Sequence, residues 1–331
     1  MACARRAFSA VLLALSACGE TSDGAARAPT ARFRDVRRVE IAGFSGSAME
    51  PYISCDGRYL FFNNRNEPAE QTDLFLAEAA GADRFQLVGP LAGANAPPPA
   101  LDAVPSLDLR GELFFISTRS YDTSLATLYQ GDFREGRVES VRLVPGNVSR
   151  GQRGWLTMDA EIARDGSLLY FADARFSGGP IPDEADLVIA RRTLDAFTVD
   201  DEGRRLVAAL NTRAPEYAPA AAADGLEMFF TRLEGATPVI LRATRARASD
   251  PFGAPSPIEG VSGFVEAPTL TCDGRALYFH RLDGSEFAIY RADRVGDAAA
   301  ASTARSVLAP RAPRGSSTGL RLTLPLQSGR P

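Results

Sequence analysis

The feature that most constrains this chain is a stretch that occurs five times, GRYLFFN, GELFFIS, GSLLYFA, GLEMFFT and GRALYFH, opened by Gly57, Gly111, Gly166, Gly225 and Gly274 and aligned without a gap. Self-similarity at a period of about fifty residues marks units that cannot bury their apolar faces alone and must stack on their neighbours. The third to fifth positions after each glycine are apolar or aromatic in every copy: Leu60-Phe61-Phe62, Phe114-Phe115-Ile116, Leu169-Tyr170-Phe171, Met228-Phe229-Phe230 and Leu277-Tyr278-Phe279. A continuous run of this kind fits a strand buried on both faces.

The flanks repeat too. Aspartate precedes the glycine in four copies (Asp56, Asp165, Asp224, Asp273) and Arg110 in the second. Asp-Gly between apolar runs suits a tight primed hairpin turn. Six positions before the glycine stands Pro51, Pro105, Pro219 or Pro268, with Ala160 in the third copy, and proline there reads as a strand start. A third strand is expected at Leu74–Ala77, Leu128–Gly131, Leu187–Ala190, Ile240–Ala243 and Ile289–Ala292. A fourth is expected at Phe85–Val88, Val138–Val144, Arg205–Ala208 and around Ile258.

The fifth unit lacks its own fourth strand. Ile41–Gly46 matches Ile258–Gly263 almost residue for residue, so the segment 36–41 is expected to complete the last unit from the other end of the chain. The expected fold is an all-β propeller of five four-stranded blades closed by the N-terminal strand, with a degenerate sixth blade as the alternative. The propeller is placed at residues 33–295, and 296–331 form a C-terminal extension.

Arg5 and Arg6, the apolar run from Ala7 to Leu15 and the sequence Leu15-Ser16-Ala17-Cys18 form an export signal over residues 1–17, too short to span a bilayer. Leu-Ser-Ala-Cys resembles the lipobox of bacterial lipoproteins, which implies lipidation at Cys18 and a membrane attachment through that lipid. Gly19 follows it, which favours an outer-membrane lipoprotein of the cell envelope. Residues 18–32, rich in Gly, Ala, Ser, Thr and Pro, read as a tether.

The run Pro-x-x-x-x-Asp-Gly-x-x-Leu-(Phe/Tyr)-Phe, followed by Arg65, Arg119, Arg175, Arg232 or Arg281, resembles the TolB-like propeller repeat over residues 48–292. Arg110 and Ala160 are departures from it. The resemblance implies a propeller with a leaning towards protein binding, and it carries no catalytic residue.

A net charge of −4 removes the clustered positive charge that a grip on nucleic acid needs. His280 is the only histidine, so no site that needs two is available. It occupies a polar position shared with Asn63, Ser117, Ala172 and Thr231, and reads as structural. No nucleophile elbow and no metal-spaced cluster appears, so neither a metal nor a cofactor is expected. Glu50, Asp102, Asp159, Glu161, Glu216 and Glu266 stand near the starts of the innermost strands, where a ring of acids at the channel mouth would hold a cation or a basic peptide. Their registers differ, which favours ordinary loop charges paired to nearby arginines.

Cys55 and Cys272 occupy one position in the first and fifth units, neighbours in a five-membered ring, where a disulfide would staple the closure. Trp155 is either a binding anchor or a buried cap. The main expectation is a non-enzymatic envelope protein that binds a protein or glycan partner. The alternative is a propeller-type polysaccharide hydrolase or lyase that works through carboxylates and arginines.

Overall fold

The computed structural model describes residues 30–296, except 66, 67, 82 and 180. The expected signal, Cys18 and the C-terminal extension lie outside the described residues, apart from its first position, Gly296. The chain opens with β1 (Phe33–Arg38) and β2 (Glu40–Ala42) and then runs through five meanders, each from the channel outward. Blade 1 holds β3 (Met49–Ile53), β4 (Tyr59–Asn63), β5 (Leu74–Ala79) and β6 (Arg84–Pro90). Blade 2 holds β7 (Asp102–Leu107), β8 (Glu112–Ser117), β9 (Leu128–Arg134) and β10 (Arg137–Leu143). Blade 3 holds β11 (Trp155–Ile162), β12 (Leu168–Arg175), β13 (Glu184–Thr193) and β14 (Ala196–Val199). Blade 4 holds β15 (Glu216–Ala221), β16 (Glu227–Glu234), β17 (Thr237–Thr244) and β18 (Ser256–Pro257). Blade 5 holds β19 (Val265–Leu270), β20 (Ala276–Asp283) and β21 (Glu286–Arg294), completed by β1. The protein is a five-bladed β-propeller.

The repeated apolar run becomes the second strand of each blade, and its alternation builds the ring. In β4, Leu60 and Phe62 pack towards blade 5 while Phe61 packs towards blade 2. The core is accordingly divided into five clusters, one at each junction between neighbouring blades. Phe61, Phe62, Phe114, Phe115, Phe229 and Phe230 are fully buried there. Each such ring, once removed from water, contributes about 1.5–3 kcal/mol.

The ring closes with the segment expected to close it, divided between two blades. β1 runs antiparallel to β21, pairing Phe33 with Arg294 and Arg38 with Tyr290. The chain then crosses to blade 1, where β2 lies parallel to β6. Arg37 bridges Asp83 of blade 1 and Asp293 of blade 5. Cys55 and Cys272, in the inner turns of the two seam blades, are joined as a disulfide with Cα atoms 5.0 Å apart.

Three local expectations are corrected. The Asp-Gly turn is not a two-residue primed turn: Gly57 donates its N–H to Ser54 O three residues back, Tyr59 O accepts from Ser54 N–H, and the four residues between them form the loop. Glycine is required because φ is positive, 67–86° in the five copies, and the aspartate accepts from the N–H two residues on, as Asp56 does from Arg58 at 3.0 Å. Where Arg110 replaces that aspartate, Asp108 accepts from Glu112 N–H at 2.9 Å instead. The second correction concerns the prolines, which sit inside the innermost strands rather than at their starts. The third concerns Arg205–Ala208, where the structure has a helix, α1 (Asp201–Val207), while β14 supplies the fourth strand. Asp200 caps the helix by accepting from Gly203 N–H at 2.7 Å, acids fill its first turn and arginines its last.

Candidate functional site

Every innermost strand carries the same defect. In β3 the register jumps from Met49 opposite Asn63 to Tyr52 opposite Phe61, so Glu50 and Pro51 together face a single residue. The same bulge recurs in the other four blades. Its first residue, Glu50, Val104, Asp159, Ala218 or Ala267, has φ of 49–53°. Left-handed backbone at a residue with a side chain costs about 1–2 kcal/mol, and the bulge proline, which has no N–H to offer the ladder, fits the same place. The bulge turns residues from all five blades onto the channel axis.

A bulged N–H leaves the strand ladder and needs another partner. In blades 1, 4 and 5 the polar position six residues after the repeat glycine supplies it for the next blade. Asn63 Oδ1 accepts from Val104 N–H at 3.3 Å, Thr231 Oγ1 from Ala267 N–H at 3.1 Å, and His280 Nδ1 from Glu50 N–H at 3.1 Å. Blade 3 has Ala172 at this position, which cannot accept, and Asp159 Oδ2 takes Ala218 N–H at 3.2 Å instead. The apparently tolerant polar position is thus a cap for the neighbouring blade.

His280 also holds a carboxylate. Because Nδ1 accepts from Glu50, the neutral ring carries its proton on Nε2, which lies 3.1 Å from Glu266 Oε2. Tyr217 donates its hydroxyl to the other oxygen, Glu266 Oε1. Glu50, Asp159, Glu266, Tyr217 and His280 therefore form one cluster at the channel mouth, drawn from blades 1, 3, 4 and 5. Glu266 and Tyr217 are its half-buried outer members, whereas His280 is fully buried.

The six acids read from the sequence do not form one ring. Glu50, Asp159 and Glu161 line the channel, and Glu266 joins them through His280. Asp102 and Glu216 lie two residues before the bulge and turn away. Asp102 pairs with Arg119 at 2.6 Å and accepts from Ala96 N–H at 2.7 Å. Glu216 pairs with Arg232 at 2.6 Å and accepts from Thr212 N–H at 2.9 Å. Each ties its blade to the segment that enters it. Trp155 is half-buried with the Arg150 guanidinium 3.5 Å over its ring. Sequence reading missed Tyr217, whose signal is a hydroxyl-bearing ring one residue before a bulge. Among the described residues no group of three or more His, Cys, Asp or Glu is arranged to hold a metal ion.

The cluster separates its carboxyl groups electrically. Burial, together with the charges of Glu50 and Glu266, pushes the Asp159 carboxyl well above the ordinary range, against the Ala218 N–H that favours the ion. Burial acts on Glu266 in the same sense, but the hydrogen bonds from His280 and Tyr217, joined by the charge His280 carries when protonated, outweigh it and hold this carboxyl below the ordinary range. Burial opposes an imidazolium at His280, and Glu50 and Glu266 overcome it and raise its pKa. Protonation would place a second donor opposite Glu50 N–H and break the bulge cap. Tyr217 keeps its proton, since burial and the surrounding carboxylates push its pKa up.

Behind the mouth the channel is nearly filled, with a cavity of about 30 Å³ among the bulge residues, room for one or two waters and not for a sugar ring. Its far end is closed by Arg164 of blade 3. That guanidinium meets Tyr52 Oη of blade 1 and donates to Leu270 O of blade 5 at 2.9 Å. Tyr52 in turn donates to Leu107 O of blade 2. Burial brings the Arg164 pKa down to about 10.

No protein-family model and no curated protein matches the chain. Among solved structures it is similar to a family 117 glycoside hydrolase produced by the marine bacterium Zobellia galactanivorans, with 14% identity over 80% of this chain and 90% of that one and a TM-score of 0.52. A thermostable family-43 glycoside hydrolase aligns with 12% identity over 78% and 92%, at 0.51. The catalytic domain of the Coprinopsis cinerea GH62 α-L-arabinofuranosidase aligns with 11% identity over 80% and 98%, also at 0.51. TolB from Acinetobacter baumannii aligns at a TM-score of 0.42 and 14% identity, too low to argue from. At these identities the likeness establishes the fold. It also corrects the expectation of a non-enzymatic TolB-like binding protein, because the propellers that align above 0.5 here are glycoside hydrolases.

Proposed function

We propose that the chain is a propeller-type glycoside hydrolase acting at the channel mouth, with Asp159 as proton donor and Glu266 as the ionised carboxylate. The observation that carries this reading is one cluster in which Asp159 is buried on the channel axis while Glu266 is held at the mouth by His280 and Tyr217, with the Asp159 pKa displaced up and the Glu266 pKa down. Glycosidic cleavage asks for that division: an acid that keeps its proton for the leaving oxygen, and a carboxylate that activates water or attacks the anomeric carbon. Tyr217 and His280 hold Glu266 in place. Because no ring fits the cavity that Glu50 and Asp159 line, the sugar lies across the mouth above them. Solved structures of similar fold include an α-L-arabinofuranosidase and an exo-β-1,3-galactanase from Phanerochaete chrysosporium, which supports the reading. The TolB-like repeat pattern is taken to describe how the blades are built, a matter separate from what the mouth does.

The test is turnover of arabinan, β-1,3-galactan, cello-oligosaccharides and the corresponding aryl glycosides by the soluble chain beginning at Gly19. One class is expected to be cleaved, with Asp159→Asn reducing kcat/KM by about 10²–10⁴-fold. No turnover of any class, or an Asp159→Asn variant as active as the parent, would sink the proposal. Proton NMR of the first-released anomer tells whether Glu266 acts as base or nucleophile. A lipid on Cys18 would hold this activity at the cell envelope, and loss of membrane association in Cys18→Ser is the measurement that checks it.

A further inference from the structure

A cavity of about 480 Å³ lies outside the cluster, over the seam between blades 5 and 1. Its origin is the way the ring closes. β1 follows β21 only as far as the Arg38–Tyr290 pair. The chain then meets β21 at Val39, whose N–H donates to Ile289 O at 2.9 Å, and again at Ser47 and Ala48, where Ser47 Oγ accepts from Phe287 N–H at 3.1 Å and Ala48 N–H donates to Phe287 O at 2.9 Å, and bows outward between these two places. The matching crossover from blade 4 to blade 5 lies close on its neighbour, since a Cβ at Gly260 would collide with the Phe33 carbonyl, whereas one at Gly43 would meet nothing nearer than the Gln86 amide at 3.4 Å. The groove is thus a product of the closure.

Its walls have a distinct chemistry. The half-buried rings of Phe44 and Phe287 give it an apolar lining, and Arg38, Glu40, Ser45 and Glu286 form a polar rim. Glu40 is already paired with Arg84 at 3.1 Å, which leaves one charge of each sign, Arg38 and Glu286, and no strong preference for an ion. Phe287 is also the link to the mouth: its ring lies 5.1 Å from the His280 imidazole, whose Nε2 lies 3.1 Å from Glu266. The volume falls in the range of about 300–1,000 Å³ that holds small-molecule ligands and exceeds what one sugar ring fills.

We infer that this groove is a second carbohydrate subsite, which takes the outer units of a neutral oligosaccharide whose end unit lies at Glu266. The identity of the ligand rests on the hydrolase reading above; the groove itself does not. Hydroxyl groups meet the polar rim, and the C–H face of a sugar lies on the phenylalanine rings. An acidic oligosaccharide would face Glu286 and gain only Arg38.

The test fills the groove from its exposed loop without touching the cluster. Arabinotriose, β-1,3-galactotriose and cellotriose are titrated calorimetrically into the parent, Ser45→Trp and, as a folding control, Ser45→Ala. One trisaccharide is expected to bind the parent and Ser45→Ala alike and to bind Ser45→Trp at least about tenfold more weakly, while kcat/KM for the aryl monoglycoside stays within about twofold in all three. Equal binding by Ser45→Trp and the parent, or no binding of any trisaccharide by the parent, overturns the inference. A trisaccharide that binds in the groove and is never cleaved keeps the subsite and rejects the hydrolase reading. One that is cleaved with an unchanged KM by Ser45→Trp does the reverse.

Discussion

The two ends of the central channel are built from different positions of the same repeat and do opposite things. At the far end Arg164 stands in the slot that Cys55 and Cys272 occupy in the seam blades, two residues before the repeat glycine. The disulfide joins blades 5 and 1, and Arg164 with Tyr52 ties blades 3, 1, 2 and 5. These groups are spent on each other. At the mouth the bulge brings Glu50 and Asp159 onto the axis beside Glu266, with burial raising the pKa of Asp159 and hydrogen bonds lowering that of Glu266. At the far end partners are satisfied across blades, whereas at the mouth like charges share one polar cluster, which is where the proposed chemistry is assigned.

The largest expected effects separate the two ends. Glu266→Gln keeps the hydrogen-bonding outline but removes the charge, and should lower kcat/KM by about 10²–10⁴-fold with thermal stability nearly unchanged. Cys55→Ser with Cys272→Ser should do the reverse, costing about 2–4 kcal/mol of stability for the lost cross-link while leaving kcat/KM of the folded protein intact. Arg164→Met should cost about 1–3 kcal/mol by leaving Leu270 O without its buried donor, again without loss of turnover. Denaturant unfolding and initial rates on the same preparations check all three. If Arg164→Met abolished turnover in a protein that unfolds like the parent, the division between the ends would be wrong.

His280 lies on the boundary and can be divided into its two jobs. Asn63 does the capping job alone in blade 1, so His280→Asn should keep the cap on Glu50 N–H and lose the bond to Glu266, whereas His280→Ala loses both. The Glu266 carboxyl is held below its ordinary pKa partly by His280. Both variants should therefore move the acid limb of the kcat/KM profile to higher pH, and only His280→Ala should also lose about 1–3 kcal/mol of stability. A profile that does not move in either variant would leave His280 a purely structural cap.

Much of this was legible in the residues, and the reasons it stopped are specific. Five ungapped copies of a doubly buried strand can be satisfied only by stacking, so the blade count and the closing segment followed from the sequence. Arg205–Ala208 reads as a strand because four residues carry little periodicity, while the Asp200 cap that decides for a helix stands five residues upstream. The mouth was less legible for a geometric reason. A bulge shifts which side chains reach the axis, and nothing in Glu50-Pro51 or Asp159-Ala160 announces a left-handed backbone, so Asp102 and Glu216 were grouped with acids they never meet. The function was read from the repeat pattern, which describes blade construction and is silent on the cluster that the bulges assemble.

The smallest expected effect tests the comparison most finely. Glu161 lies two residues beyond Asp159, lines the channel on the side towards Arg164, and is pushed well above the ordinary carboxylate range by burial, against an N–H from Ala221 that favours the ion. A carboxyl whose pKa is raised on folding binds its proton more tightly in the folded protein than in the unfolded chain. Its contribution to stability is therefore intact below the unfolded value of about 4.3 and is lost as pH rises through the folded value. Glutamine keeps the shape and a donor and has no proton to lose. Glu161→Gln should match the parent near pH 4 and become progressively more stable than it towards pH 8, by about 1–2 kcal/mol or roughly 2–6 °C in Tm, with turnover unaffected. A stability difference that stays flat across that interval would mean that ionised Glu161 is as well accommodated in the folded protein as in the unfolded chain.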